Sequence, residues 1–246
     1  MSENDRTDPA LAALQQALQA SQRSRPQAQV LASVRQYGLA IVYLTPEQRT
    51  PEVCLAAVQQ DGMAIRYLTA EERTPDVRLA AVQQNGLAIQ YLTPDQRTPD
   101  LCLSAVQAYG HAIEHLTAEE RTSEVCMAAI QRDGDAIFRL KAIERTPAAC
   151  MAAVQQTGRA IEHLTPEQRT PEVCLAAVQQ NGAAIRHVTA KVLNAASDPP
   201  VQALAAFLHA RWDTLAHHLP ERQAIELRWR VAAVIQTSSR GTDSRR

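Results

Sequence analysis

Residues 50–73 read TPEVCLAAVQQDGMAIRYLTAEER, and residues 74–97 read TPDVRLAAVQQNGLAIQYLTPDQR. The second stretch repeats the first almost position for position. Working outward, copies begin at Pro26, Thr50, Thr74, Thr98, Thr122, Thr146 and Thr170, with no gap in the register. Gly38, Gly62, Gly86, Gly110, Gly134, Gly158 and Gly182 fall at one position, 24 residues apart, and Gly241 is the only other glycine. A short, strict period of this kind marks a tandem array rather than a single globular core.

Each copy parses as two helices. Thr50 suits an N-cap and Pro51 the first helical position, where no donor is needed. Glu52 complements the helix dipole. The helix continues through Val53-Cys54-Leu55-Ala56-Ala57-Val58, and Gly62 is placed to end it in the left-handed conformation. A shorter helix is expected over 63–68. Thr69 and Glu72 then form a capping box, with counterparts Thr45/Gln48, Thr93/Gln96, Thr117/Glu120 and Thr165/Gln168. The long helix is apolar nearly all round and should be covered on several sides. The short helix places Ala64, Ile65 and Leu68 on one face. One copy cannot bury these faces alone, so the copies must stack.

The expected fold is therefore all-α: an α-solenoid of seven 24-residue two-helix repeats with helical caps at both ends. Residues 1–25 read as a disordered leader and an N-terminal capping helix over 9–22. Residues 26–193 form the array. Residues 194–236 form a C-terminal helical hairpin, with Val201, Leu204, Phe207 and Leu208 facing Ile225, Leu227, Val231 and Val234. Residues 237–246 are expected to be a disordered tail.

Composition narrows the function classes. The formal net charge of −1 opposes a general electrostatic grip on nucleic acid. No apolar run is long enough to span a membrane, and the polar start MSENDRTDPA lacks secretory features, so a cytoplasmic location is expected. Delivery by a specialised secretion system remains compatible with that leader.

The run V-C-L-A-A-V-Q-Q-N-G-x-A-I-x-Y-L-T-P-E, within residues 26–193, resembles the short helical repeats of domain of unknown function 4116. The resemblance implies an α-helical array in bacterial or large-virus proteins and no particular activity. Leu-Thr-Pro-Glu-Gln also resembles the start of the DNA-reading repeats of plant-pathogen effectors. Their period is longer and their arrays are more basic, so the overlap reflects shared helix-capping chemistry.

Cys54, Cys102, Cys126, Cys150 and Cys174 share one repeat position. Stacked helices would hold neighbours roughly 8–10 Å apart, beyond the ~7 Å Cα limit for a disulfide. No C-x-x-C occurs, so these are read as small apolar side chains in a reducing compartment. Gln59 and its counterparts, and Arg49, Arg73, Arg97, Arg121, Arg145 and Arg169, also recur. The arginines are expected to form exposed inter-repeat ion pairs with acidic turns.

The informative positions are those that differ between copies. The last residue of the short helix runs Tyr43, Tyr67, Tyr91, His115, Arg139, His163, His187. Neighbouring variable positions include Arg66, His111, Arg159 and Arg186. The stack does not dictate these positions, and Tyr and Arg are favoured at binding hot spots. They are the candidate partner-binding residues of a non-enzymatic protein- or peptide-binding scaffold. Two alternatives remain: a metal site or metal enzyme at His111, His115 and Asp135, and single-stranded nucleic-acid binding by the array. No nucleophile–base pair, phosphate loop or cofactor motif is present. No cofactor or metal is assigned.

The copy beginning at Thr122 breaks the pattern. Ser123 replaces Pro, Phe138 is large and apolar, and Lys141-Ala142-Ile143 replaces Thr-Pro-Glu. A lost capping box there points to a change of curvature or a continuous helix.

Overall fold

A computed structural model describes residues 26–243. The leader, including the helix expected over 9–22, lies outside the described residues. Among the described residues there is no strand, and the chain is an all-α repeat solenoid. The long helices are α1 (Gln27–Gln36), α2 (Pro51–Gln60), α3 (Pro75–Gln84), α4 (Pro99–Ala108), α5 (Ser123–Arg132), α6 (Pro147–Gln156) and α7 (Pro171–Gln180). Two compact units divide the chain, one ending at Ala108 and one beginning at Tyr109.

In the first unit α1 to α4 pack in sequence, each against the next. The second unit repeats this through α5, α6 and α7. Thr74 and Thr98 in the first unit, and Thr122, Thr146 and Thr170 in the second, accept the N–H three residues on at 3.2–3.4 Å. Val53, Cys54, Ala57 and Val58 are buried, and so are their equivalents Leu101, Cys102, Ala105 and Val106. Coverage is less than all-round: Leu55 is half-buried and Leu79 is 40% exposed. Neighbouring copies cover two flanks and the short helix a third, which leaves one line open.

The second helix of each copy is a six-residue 3₁₀-helix that starts on the glycine: Gly38–Tyr43, Gly62–Tyr67 and Gly86–Tyr91 in the first unit, then Gly110–His115, Gly134–Arg139, Gly158–His163 and Gly182–His187. No described glycine has positive φ. The expected left-handed C-cap is therefore corrected. Asp61 leaves α2 in an extended conformation, and its carboxylate accepts the Met63 N–H at 2.9 Å. Asn85, Asp133 and Asn181 cap their 3₁₀-helices in the same way.

Glycine is required for space. A Cβ at Gly62 would lie 2.4 Å from the Ala81 carbonyl oxygen on the next long helix. The Gly62 N–H instead donates to Gln84 Oε1 at 2.6 Å, and Gly38 pairs with Gln60 and Gly158 with Gln180 at the same distance. The glutamines that clamp the stack are thus Gln60, Gln84 and Gln180. They stand one residue beyond the ladder of Gln59 and its counterparts.

The capping boxes form. Thr69 N–H donates to Glu72 at 2.7 Å and Thr117 N–H to Glu120 at 2.7 Å. The recurrent arginines do more than pair with surface acids. Arg49 donates to the Tyr67 carbonyl at 3.0 Å, and Arg73 to the Tyr91 carbonyl at 2.6 Å. Arg145 donates to Leu140 and Phe138 in its own copy and to His163 in the next, at 3.0, 3.3 and 2.7 Å. The ion pairs they make, Arg49–Glu72 and Arg121–Glu144, have side chains only 16% and 11% exposed. Low exposure reflects the carbonyls of two successive 3₁₀-helices drawing the guanidinium inward.

The copy beginning at Thr122 keeps a separate 3₁₀ turn, Ala142–Glu144. No continuous helix forms, because Lys141 N–H still donates to the Glu144 carboxylate at 2.7 Å. Half the capping box survives, since an ammonium cannot accept the return bond.

The C-terminal cap contains α8 (Pro199–Ala210), α9 (Trp212–Leu215) and α10 (Glu221–Asp243). The first cap helix breaks at Arg211, and the chain beyond it places Leu215 against Gly182. Leu227, Val231 and Val234 are buried, and α10 packs on α8. Ile225 is 54% exposed, because two residues of helix turn it roughly 200° away from Leu227. Helix α10 runs past Gln236 into the stretch expected to be a disordered tail. Thr237 is accommodated by a 2.8 Å bond from its hydroxyl to the Val234 carbonyl. Among the described residues no helix is long and apolar enough to cross a membrane.

Candidate functional site

The 3₁₀ geometry sorts the variable positions. With about three residues per turn, positions three apart eclipse and positions four apart diverge by about 120°. The second and fifth residues of each short helix therefore share the outer row: Leu39/Val42, Met63/Arg66 and Leu87/Gln90 in the first unit, and His111/Glu114, Asp135/Phe138, Arg159/Glu162 and Ala183/Arg186 in the second. The sixth residue sits beside that row, over the alanine of the third position, which is half-buried at Ala40 and buried in the later copies. Gly62, Ala64 and Ile65 face inward and are buried.

In the first unit the face is aromatic and aliphatic. Tyr43 is 70% exposed, and Leu39 and Val42 are each 39% exposed. Tyr37, just before the glycine, is 65% exposed and adds to this patch, although its repeat position gave no sign of it. Tyr67 and Tyr91 are half-buried. The Arg66 guanidinium lies 4.5 Å from the Tyr67 ring centroid and donates to the Tyr67 hydroxyl. Its pKa is held above the ordinary value by that bond first and by a bond with Tyr91 second. Arg66 thus joins two successive tyrosines.

In the second unit several of the same positions carry charges that pair with one another. Glu114 lies 2.9 Å from Arg139 and 3.6 Å from His115. Arg159 donates to Glu162 at 2.8 Å, and His163 lies 3.7 Å from the same carboxylate. The Arg159 hydrogen bond holds the Glu162 carboxyl below its usual range, with the charges of Arg159, His163 and His187 adding to it. Burial pushes the His187 pKa down, and nearby Arg169 pushes the same way. Phe138 and His163 rings are 5.0 Å apart. Arg159, Glu162, Asn181, Arg186 and His187 surround a hollow of about 220 Å³.

The proposed metal triad is not assembled. His111 Nδ1 lies 3.0 Å from Asp133, at an alignment poor for hydrogen bonding, while His115 lies near Glu114. Among the described residues no three His, Cys, Asp or Glu groups converge to hold a metal ion. The reading from sequence needed positions four apart to share a face, which an α-helix provides and a 3₁₀-helix does not.

All five cysteines are buried free thiols. Burial, aided by the charge of Glu72 or Glu144, pushes Cys54 and Cys126 up to about 11, and burial pushes Cys174 to about 12. Such thiols are poor nucleophiles. The chain matches no family model, no curated protein and no solved structure.

Proposed function

We propose that this protein is a non-enzymatic scaffold that binds a protein or peptide partner through the variable face of its short helices. The observation that carries this reading is the patch of Tyr37, Leu39, Val42 and Tyr43, exposed together at the first short helix of the array. The neighbouring Tyr67–Arg66–Tyr91 group extends the same residue chemistry into the next two copies. None of these side chains is needed to close the stack, and Tyr and Arg supply contact area at low entropic cost. The second unit would contribute His111, His115, Arg139, Arg159, His163, Arg186 and His187 as a polar, charge-paired surface that tunes which partner is accepted. The buried thiols fit work in a reducing, cytoplasmic compartment of a bacterial cell. The likeness of residues 26–193 to domain of unknown function 4116 belongs to the same proposal.

The test is affinity capture from the source cell with wild type, a Tyr43→Ala/Tyr67→Ala/Tyr91→Ala variant and a His115→Ala/His163→Ala variant. Capture lost in the tyrosine variant, with unchanged circular dichroism, supports the reading. Equal capture by all three proteins would overturn it.

A further inference from the structure

The long helices and their connecting turns form a second kind of surface, which shares no residue with the short-helix row. A groove lies between the start of one long helix and the turn that leads into the next. Its floor is the cysteine position and its rim is the turn. Three examples differ in size. The groove over Arg78 is about 220 Å³, since that side chain fills it and donates to the Gln96 carbonyl at 2.8 Å. The groove over Cys150 is about 440 Å³. The groove over Cys126 is about 560 Å³.

The largest groove gathers the departures from the repeat. Position 143 is acidic in five of the other six copies (Glu47, Glu71, Asp95, Glu119, Glu167), is Lys191 in the last, and is isoleucine here. Position 148 is acidic in five of the other six copies (Glu52, Asp76, Asp100, Glu124 and Glu172), and alanine here as it is at Ala28 in the first. Lys141 stands where the other copies have threonine, and Ala149 where five of them have Val or Leu and the first has Gln29. All four residues line this one groove. The two small residues widen it, and Met127 gives it an apolar wall. Against the groove over Cys150 it is more positive by two charges: one gained at Lys141 and one acid lost at each of 143 and 148, less the acid Glu144 that stands where the other groove has Gln168. Ile143 is 87% exposed, the most open large apolar side chain described.

The groove's other charges are already engaged. Arg121 and Glu144 pair at 3.6 Å, and the Glu119 carboxyl is held below its usual range by its own backbone and Thr117 bonds, with the Lys141 charge as the smallest contribution. Cys126 offers no covalent chemistry at neutral pH, being buried. Away from the two ends of the array the other copies carry Thr, an acid and an acid at these positions. Three departures separated along the chain but meeting at one point are therefore not dictated by stacking.

We infer that the groove over Cys126 is a docking site for a short acidic peptide segment of a partner protein. An apolar side chain would seat on Met127, Ala148, Ala149 and Ile143, and a flanking carboxylate would meet the Lys141 ammonium. Grooves of this volume are of ligand size. Exposed Ile143 at the rim calls for an occupant that lies across the surface rather than one that is enclosed.

The test uses the full chain, immobilised, and a phage-displayed random peptide library. The comparison is a Lys141→Thr/Ile143→Glu/Ala148→Glu variant, which carries the residues of the other copies and so folds as they do. The expected result is enrichment of peptides pairing acidic with bulky apolar residues. Their affinity should fall at least tenfold in the restored variant and weaken in 0.5 M salt, while thermal unfolding is unchanged. Enrichment of basic or purely polar peptides, equal affinity for the restored variant, or no enrichment would overturn the inference. So would a concentration-dependent dimer in sedimentation that the restored variant loses, because a second copy would then be the occupant.

Discussion

An alanine at position 62 would bring its methyl carbon to 2.4 Å from the Ala81 carbonyl oxygen and 2.8 Å from Gln84 Oε1. Backbone on one side and a hydrogen-bonded amide on the other leave little room to yield. At Gly182 the nearest atom is Leu215 Cδ2 at 3.0 Å, the far end of a flexible side chain. Gly62→Ala should therefore destabilise by about 3 kcal/mol, at the upper end of overpacking costs, and Gly182→Ala by less than about 1 kcal/mol. Urea unfolding of the two variants checks the contrast, and equal losses would refute the steric account. The strict spacing of the glycines was plain in the sequence, but its cause was not. Glycine after a helix suggests a left-handed cap, whereas the actual constraint arrives from a residue nineteen positions on, in another copy. Asp61 and Asn85 carried a better signal, since both are strong helix N-caps standing where a helix was assumed to end.

At the level of the elements, the period fixed the number and order of helices, and the capping residues fixed the ends of the long ones. Six residues are too few for periodicity to separate an α-helix from a 3₁₀-helix, so the geometry of the short element was not legible. That one difference dissolved the His111/His115/Asp135 site and created the outer row. The arginines were legible as recurrent and illegible as linkers, because backbone carbonyls leave no mark in sequence. Arg145 joins the ends of two successive short helices through three carbonyls. Hydrogen bonds from a charged donor contribute about 1.5–3 kcal/mol, so Arg145→Ala should lose about 2–3 kcal/mol of stability by denaturant titration. Arg145→Lys should recover only part of it, lacking the planar fork. A lysine variant as stable as wild type would show that charge alone suffices.

Across the whole molecule, the buried thiols sum into a pH response. An unfolded thiol ionises near its ordinary value of 9.0, whereas Cys54 and Cys126 hold their protons to about 11 and Cys174 to about 12. Between those values the folded state binds more protons than the unfolded one, so stability falls as pH rises. The slope is at most about 1.4 kcal/mol per pH unit for each such thiol, and below pH 9 the effect vanishes. Cys126→Val, which places at this position the residue found naturally at Val30, should flatten the decline between pH 9 and 11 and leave neutral stability nearly unchanged. Urea midpoints at pH 7, 9 and 10.5 measure it, and parallel declines would reject the buried-thiol origin. The contacts that hold the copies together run both ways along the chain. Arg145 reaches eighteen residues forward to His163, and Gly158 reaches twenty-two forward to Gln180. Gln168 and Gln180 donate back to the carbonyls of Arg145 and Gln156 in the copy before, and Leu215 of the cap stands against Gly182 after the last copy. A genetic duplication of residues 146–169 would consequently meet no unfamiliar junction: the added copy would receive from behind and give ahead what its template does. Array length is then something that unequal recombination can change in steps of one copy, without any new interface having to arise first.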